Sequence, residues 1–140
     1  MALTLMQAIH GRWAADTALC ALLPASRVST GTAPGAALPL AVIVAESDRP
    51  LAACNDGSTV RSVGVQIVVL HGSYAVAATI VEQVTAAFDL ADFDLDDGRV
   101  IDMRKTNGSE QQQQDDGVWR MVVDFTCMVH YSRKAISWPS

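Results

Sequence analysis

The chain has 140 residues, of which 50% are apolar and 18% charged, and its formal charge is −5. Its mean hydropathy of +0.22 excludes a disordered chain, and the acidic balance, with no basic patch, argues against a free-standing nucleic-acid binder. No apolar run reaches bilayer-spanning length and no secretion signal is apparent, so no membrane partner is expected.

Thr4-Leu5-Met6-Gln7 has the form of a capping box and predicts a helix over 4–15, with Leu5, Ile9 and Trp13 on one stripe. Asp16-Thr17 offers a second cap for a short helical turn from Ala18 to Leu23, stopped near Pro24. Ser26 to Leu38, with Gly31, Pro34 and Gly35, reads as a loop with a short extended piece at Arg27-Val28. Pro39 to Ala45 is apolar and β-branched and reads as a strand. Asp48 to Gly57 is polar, contains Pro50 and ends in an Asn55-Asp56-Gly57 turn signal, so a connection is expected there.

Thr59 to Leu70 reads as the next strand, with Val63, Val65, Ile67 and Val69 on one face. Ser73 caps a helix over 74–88, whose stripe is Val76, Ile80, Val84 and Phe88. The acidic stretch Asp89 to Asp97 reads as a solvated turn joining helix to strand, and Arg99 to Arg104 as a strand. Thr106 to Gly117, with the run Gln111 to Gln114, reads as a mobile loop. Val118 to Tyr131 alternates cleanly: Trp119, Met121, Val123, Phe125, Cys127, Val129 and Tyr131 share one apolar face. The order α-β-β-α-β-β predicts an α+β fold, with a mixed, largely antiparallel sheet and two helices packed on one face. Residues 1–140 read as one domain, with a mobile loop over about 104–117 and a C-terminal extension over about 133–140.

Chemistry finds little purchase. Asp92-Phe93-Asp94-Leu95-Asp96-Asp97-Gly98 resembles a calcium loop, but its glycine is displaced by one position and Met103 stands where the bidentate carboxylate belongs. His10, His71 and His130 are far apart and show no metal-ligand spacing, and no metal or cofactor is expected. His10 reads as an exposed helical residue. Cys127 falls on the apolar face of its strand, where burial raises a thiol's pKa, and Cys54 is the one thiol expected to react. The odd cysteine count without a CxxC suits reduced thiols in a cytoplasmic setting. No nucleophile elbow, P-loop or dinucleotide fingerprint is present, so no catalytic residue is named and no enzyme expected.

Four phrases resemble the phage tail-completion or tail-terminator family of siphophage-type tails. They are the opening helix and second cap from Leu5 to Leu23, Arg27-Val28 with Thr32 to Ile43 including Leu38-Pro39, Val63 to Val69 running into the helix from Ser73 to Phe88, and Trp119 to Tyr131. Together they cover most of the chain, while the acidic 89–97 segment, the long glutamine-rich 104–116 segment and Ile136-Ser137-Trp138 depart from the pattern.

The resemblance implies a structural virion protein of the tail or neck, assembled in the bacterial host cytoplasm. It implies a ring of copies of itself, a homohexamer, that caps the tail tube and stops its growth. That ring contacts tail tube protein and a head completion or stopper protein, and DNA passes its lumen without specific binding. Arg104, Lys105, Gln112 and Asp116 are the candidate partner-interface residues. A head-tail connector adaptor or stopper, or a small cytoplasmic α+β ligand-binding domain or enzyme, are the alternative readings.

Overall fold

The computed structural model describes residues 2–31, 38–113 and 117–132, with the backbone alone over 2–4 and 107–113. Helix α1 (Ala2–Ala15) leads into the short α2 (Thr17–Leu22), a 3-10 turn at Ala25–Arg27 and strand β1 (Val28–Thr30). Then follow β2 (Leu40–Ala53), β3 (Thr59–His71), α3 (Tyr74–Phe88), β4 (Ala91–Leu95), β5 (Gly98–Gln113) and β6 (Trp119–Tyr131). The six strands form one sheet in the order β1-β2-β3-β6-β5-β4, with β1 parallel to β2 and every other pair antiparallel. This is the expected α+β class, with more elements than the six expected.

Local chemistry explains the helix boundaries. Asp16 caps α2, its Oδ1 accepting from the Leu19 N–H at 3.0 Å, and Ser73 caps α3 by accepting from the Val76 N–H at 3.3 Å. Thr4, by contrast, lies inside α1 rather than at its start, because the helix begins at Ala2. The Trp13 indole N–H donates to the Leu23 carbonyl at 2.9 Å, tying the end of α2 back onto α1.

The core lies between the helices and one face of the sheet. Leu5, Ile9 and Trp13 of α1 share one buried cluster with Ile80, Val84 and Phe88 of α3, Val65 and Ile67 of β3, and Met121, Val123 and Phe125 of β6. Phe88 meets Phe125 edge to face, with centroids 6.3 Å apart. Trp119, expected in the same row, is only half-buried and instead meets Tyr74 edge to face at 4.8 Å.

Three segments depart from the sequence reading. The connection expected over 48–57 is instead the distal half of β2, which pairs with β3 to Ala53↔Thr59. The acidic turn expected over 89–97 contains β4, which makes a hairpin with β5 from Ala91↔Met103 to Leu95↔Gly98. The loop expected over 104–117 is largely β5, which stays paired with β6 as far as Gln113↔Trp119. One cause accounts for distal β2 and distal β5, whereas β4 does bury Phe93. A strand held by ladder hydrogen bonds at the rim of a sheet needs no apolar face, so polar residues populate it freely. The central part of the expected loop 26–38, the segment 114–116 and the extension 133–140 lie outside the described residues.

Candidate functional site

The stagger of the sheet sets its surfaces. β1 covers only Ala41 to Ile43 of β2, so β2 borders no strand from Glu46 to Ala53 among the described residues. At the opposite edge, β4 reaches only to Met103 of β5. The Lys105 N–H is still held, donating to Asp89 Oδ1 at 2.9 Å, and beyond it β5 has β6 on one side and no strand on the other among the described residues. Among the described residues, each edge thus has one covered half and one open half, and the open halves lie at opposite ends of the sheet.

The four expected interface residues separate. Arg104 stands on the face away from the helices, opposite Thr126, with its side chain 66% exposed and its Nε 2.5 Å from Asp102 Oδ2. Lys105, next along the strand, points to the helix side opposite Phe125 and is half-buried. Gln112 sits at the far end of β5, its backbone opposite Arg120. Asp116 lies outside the described residues. The first three share a strand, not the loop expected for them, because β5 runs on beside β6.

The acidic segment is ordered by a cation the sequence reading had not assigned to it. The Arg99 guanidinium donates to Asp94 Oδ1 at 2.6 Å and Asp92 Oδ1 at 3.0 Å, bracing the β4–β5 hairpin from the outer face. All three groups are substantially exposed, so the pairs contribute only about 0–1 kcal/mol each. Period-two alternation over Asp92-Phe93-Asp94-Leu95 was the available signal for β4.

The outer face also carries a dry row. Val42 opposes Val68, and Val68 opposes Val122, with Leu40 beside them. These four are no more than 9% exposed, although none belongs to the cluster under the helices. Next along, Gln66 donates to Asp124 Oδ1 at 3.1 Å. Met128, further down β6 on the same face, is 40% exposed.

The histidines are held by hydrogen bonds within the fold. His10 is half-buried, not exposed as expected, because its Nε2–H is shared between the carbonyls of Ala25 at 3.1 Å and Val28 at 3.0 Å. His71 Nδ1 accepts from the Ser73 N–H at 2.9 Å. His130 Nε2 lies 3.0 Å from Ser58 Oγ, which donates to Asp56 Oδ1 at 2.5 Å. A nucleophilic serine must surrender its proton to the histidine; here it donates to the aspartate, and Ser58 is 1% exposed. The Ser58 hydroxyl and N–H hold the Asp56 carboxyl below the usual carboxylate range. Burial, with a smaller contribution from Asp102, pushes the Cys127 thiol up to about 12. Cys54 is exposed in the β2–β3 turn, as expected of the reactive thiol.

Among the described residues, no three His, Cys, Asp or Glu side chains group as metal ligands. No described helix is long and apolar enough to cross a membrane. Among the clefts lined by described residues, one of about 440 Å³ lies between Gln7, His10 and β1, and one of about 300 Å³ between α1 and the β4–β5 turn. Neither brings a nucleophile and a base together. What the described residues present is surfaces and strand edges.

Comparison with known proteins agrees with that character. The family model described as Tail completion protein gp17 matches residues 7–130. No curated protein matches the chain. Among solved structures, a chain of the virion of native gene transfer agent (GTA) particle superposes with a TM-score of 0.73 at 20% identity, covering 92% of this chain and 96% of that one.

Proposed function

Because the chain belongs to the Tail completion protein gp17 family, we propose that it caps the head-proximal end of the tail tube as a ring of identical copies. It is a structural, non-enzymatic protein of the virion tail that assembles with other virion proteins. The proposed ring is hexameric, stops tube growth and presents its free side to a head completion or stopper protein. The whole chain acts as one domain, and Arg104, Lys105, Gln112 and Asp116 contact the partner.

The observation that carries this reading is the family match across residues 7–130. The fold is compatible with it. A closed ring needs two different, mutually fitting surfaces on each copy, and the edge strands differ: β1 is three residues without charge and β4 five residues with two aspartates. The formal charge of −5 favours a lumen that repels the DNA backbone and lets it slide.

Light scattering across a concentration series, with negative-stain imaging of the same samples, tests the ring. Particles of hexamer mass, or rings that appear when tail tubes are added, support it. A protein that stays monomeric and leaves tube ends bare overturns it. Tight retention of DNA on the ring at physiological salt would remove the sliding lumen while leaving the cap in place. A ring that binds portal-side proteins but not tubes would favour the connector or stopper reading.

A further inference from the structure

We infer that copies of this chain join edge to edge, so that β4 of one copy lies beside the open half of β2 in the next. This rests on the ring reading above and names the surfaces that would close it. The argument begins with the outline of the sheet. At one end, β1 adds a strand beside Ala41 to Ile43 and then stops, leaving the eight exposed residues Glu46 to Ala53 of β2 as a step in the edge. At the other end of the opposite edge, β4 adds a strand of five residues beside β5 and stops near Met103. The projecting strand on each edge therefore lies level with the step on the other. Setting one copy beside the next, in the same orientation, places β4 in the β2 step and β1 in the step beside distal β5.

Strand direction follows from the ladder. β4 and β2 run the same way through the sheet, so the first contact is parallel; β1 and β5 run opposite ways, so the second is antiparallel. Both contacts are head-to-tail, using different surfaces on the two copies, which is what a closing ring requires.

Charge agrees with shape. Arg49 of β2 is exposed and lies on the outer face, opposite Ser62. Asp92 and Asp94 of β4 are exposed on the same face, because Phe93 between them points into the core. The proposed contact brings the guanidinium of one copy to the carboxylates of the next. The open β2 edge also carries Pro50 and two bulges, devices that discourage indiscriminate strand pairing.

Charge reversal tests the contact on the full chain by sedimentation equilibrium. Arg49→Asp and Asp94→Arg are each expected to weaken self-association about tenfold or more, and the double variant to recover most of the loss. Amides of 47–53 and 91–95 are expected to slow in hydrogen exchange when copies associate. Each variant's monomer melting is measured alongside, and Arg49→Ala with Asp94→Asn replaces any reversal that fails to fold, each then weakening association less. If the protein forms rings but the substitutions and the exchange leave both edges untouched, the edge contact is overturned and the ring stands. If no association occurs, alone or on tail tubes, both fall.

Discussion

His130 on β6 and Ser58 at the foot of the β2–β3 turn are joined by a hydrogen bond of 3.0 Å across 72 residues of sequence. Ser58 also donates its hydroxyl and its N–H to Asp56, so one buried serine links the turn to the last strand. Ser58→Ala removes both side-chain bonds and leaves the His130 ring nitrogen without its protein partner. The expected cost is about 1–2 kcal/mol, read by urea unfolding at neutral pH. Asp56 adds a sign that can be checked. Its pKa is depressed in the folded state, so the stability it lends is present above the ordinary value of 3.8 and is lost as pH falls through the folded value. The wild type should therefore show this acid-side loss, and Ser58→Ala should show less of it.

At the alkaline end the sign reverses. The Cys127 thiol holds its proton in the fold up to about 12 against an ordinary 9.0, and the Tyr131 hydroxyl up to about 12 against 10.0. The unfolded chain sheds those protons first, so stability is complete below pH 9 and falls between about 9 and 12. Each group contributes a slope of at most about 1.4 kcal/mol per pH unit. Tyr131→Phe is expected to flatten the upper part of that fall. It should cost less than about 1 kcal/mol at pH 7, since the Tyr131 hydroxyl is buried without a hydrogen-bond partner among the described residues. Thiol chemistry gives a second readout. Iodoacetamide at neutral pH should label exposed Cys54 and spare buried Cys127 until the protein unfolds, as mapped by peptide mass spectrometry.

The parts of the fold legible in the sequence are those where burial writes a pattern. β6 reads directly because Met121, Val123, Phe125, Cys127, Val129 and Tyr131 all face the core while Arg120, Asp124 and Thr126 do not. α3 reads for the same reason through Ile80, Val84 and Phe88. Distal β2 and distal β5 do not read, because their outer flanks border no strand among the described residues and their sequences carry no apolar alternation. Pro50 and the glutamine run even argue locally against strands; pairing with β3 and β6 overrides that preference. The candidate interface suffers equally. Arg104 and Lys105 look like one basic pair in sequence, yet as neighbours on a strand they face opposite sides of the sheet.

Trp13 couples packing to chain direction. It is fully buried, and its indole N–H donates to the Leu23 carbonyl, where α2 ends and the chain turns toward β1. Trp13→Phe keeps an aromatic ring but strands that carbonyl and leaves a small void, for an expected loss of about 2–3 kcal/mol. Trp13→Ala should cost more, about 3–5 kcal/mol. Chemical unfolding of both variants checks the order, which must be Ala below Phe below wild type. The wild type should also emit bluer fluorescence than Trp13→Phe, because the variant keeps only Trp138 and the half-buried Trp119.

Two glycines on the sheet separate backbone crowding from side-chain crowding. A Cβ at Gly98, where β5 begins opposite Tyr131, would fall on the His130 carbonyl oxygen and the Tyr131 backbone. Backbone atoms in a paired strand cannot step aside without breaking the ladder. Gly98→Ala is therefore expected to destabilise by more than about 2 kcal/mol and to loosen the β4–β5 hairpin that depends on it. A Cβ at Gly64 meets the Ser47 hydroxyl at 2.5 Å instead. That hydroxyl sits on an exposed strand and can rotate to another staggered position. Gly64→Ala should thus change stability by less than about 1 kcal/mol, with the gain in strand propensity offsetting part of the crowding. Thermal melts of the two variants side by side decide the point. Equal losses would mean that β2 cannot yield at Ser47, and that its open edge is held more rigidly than its exposure implies.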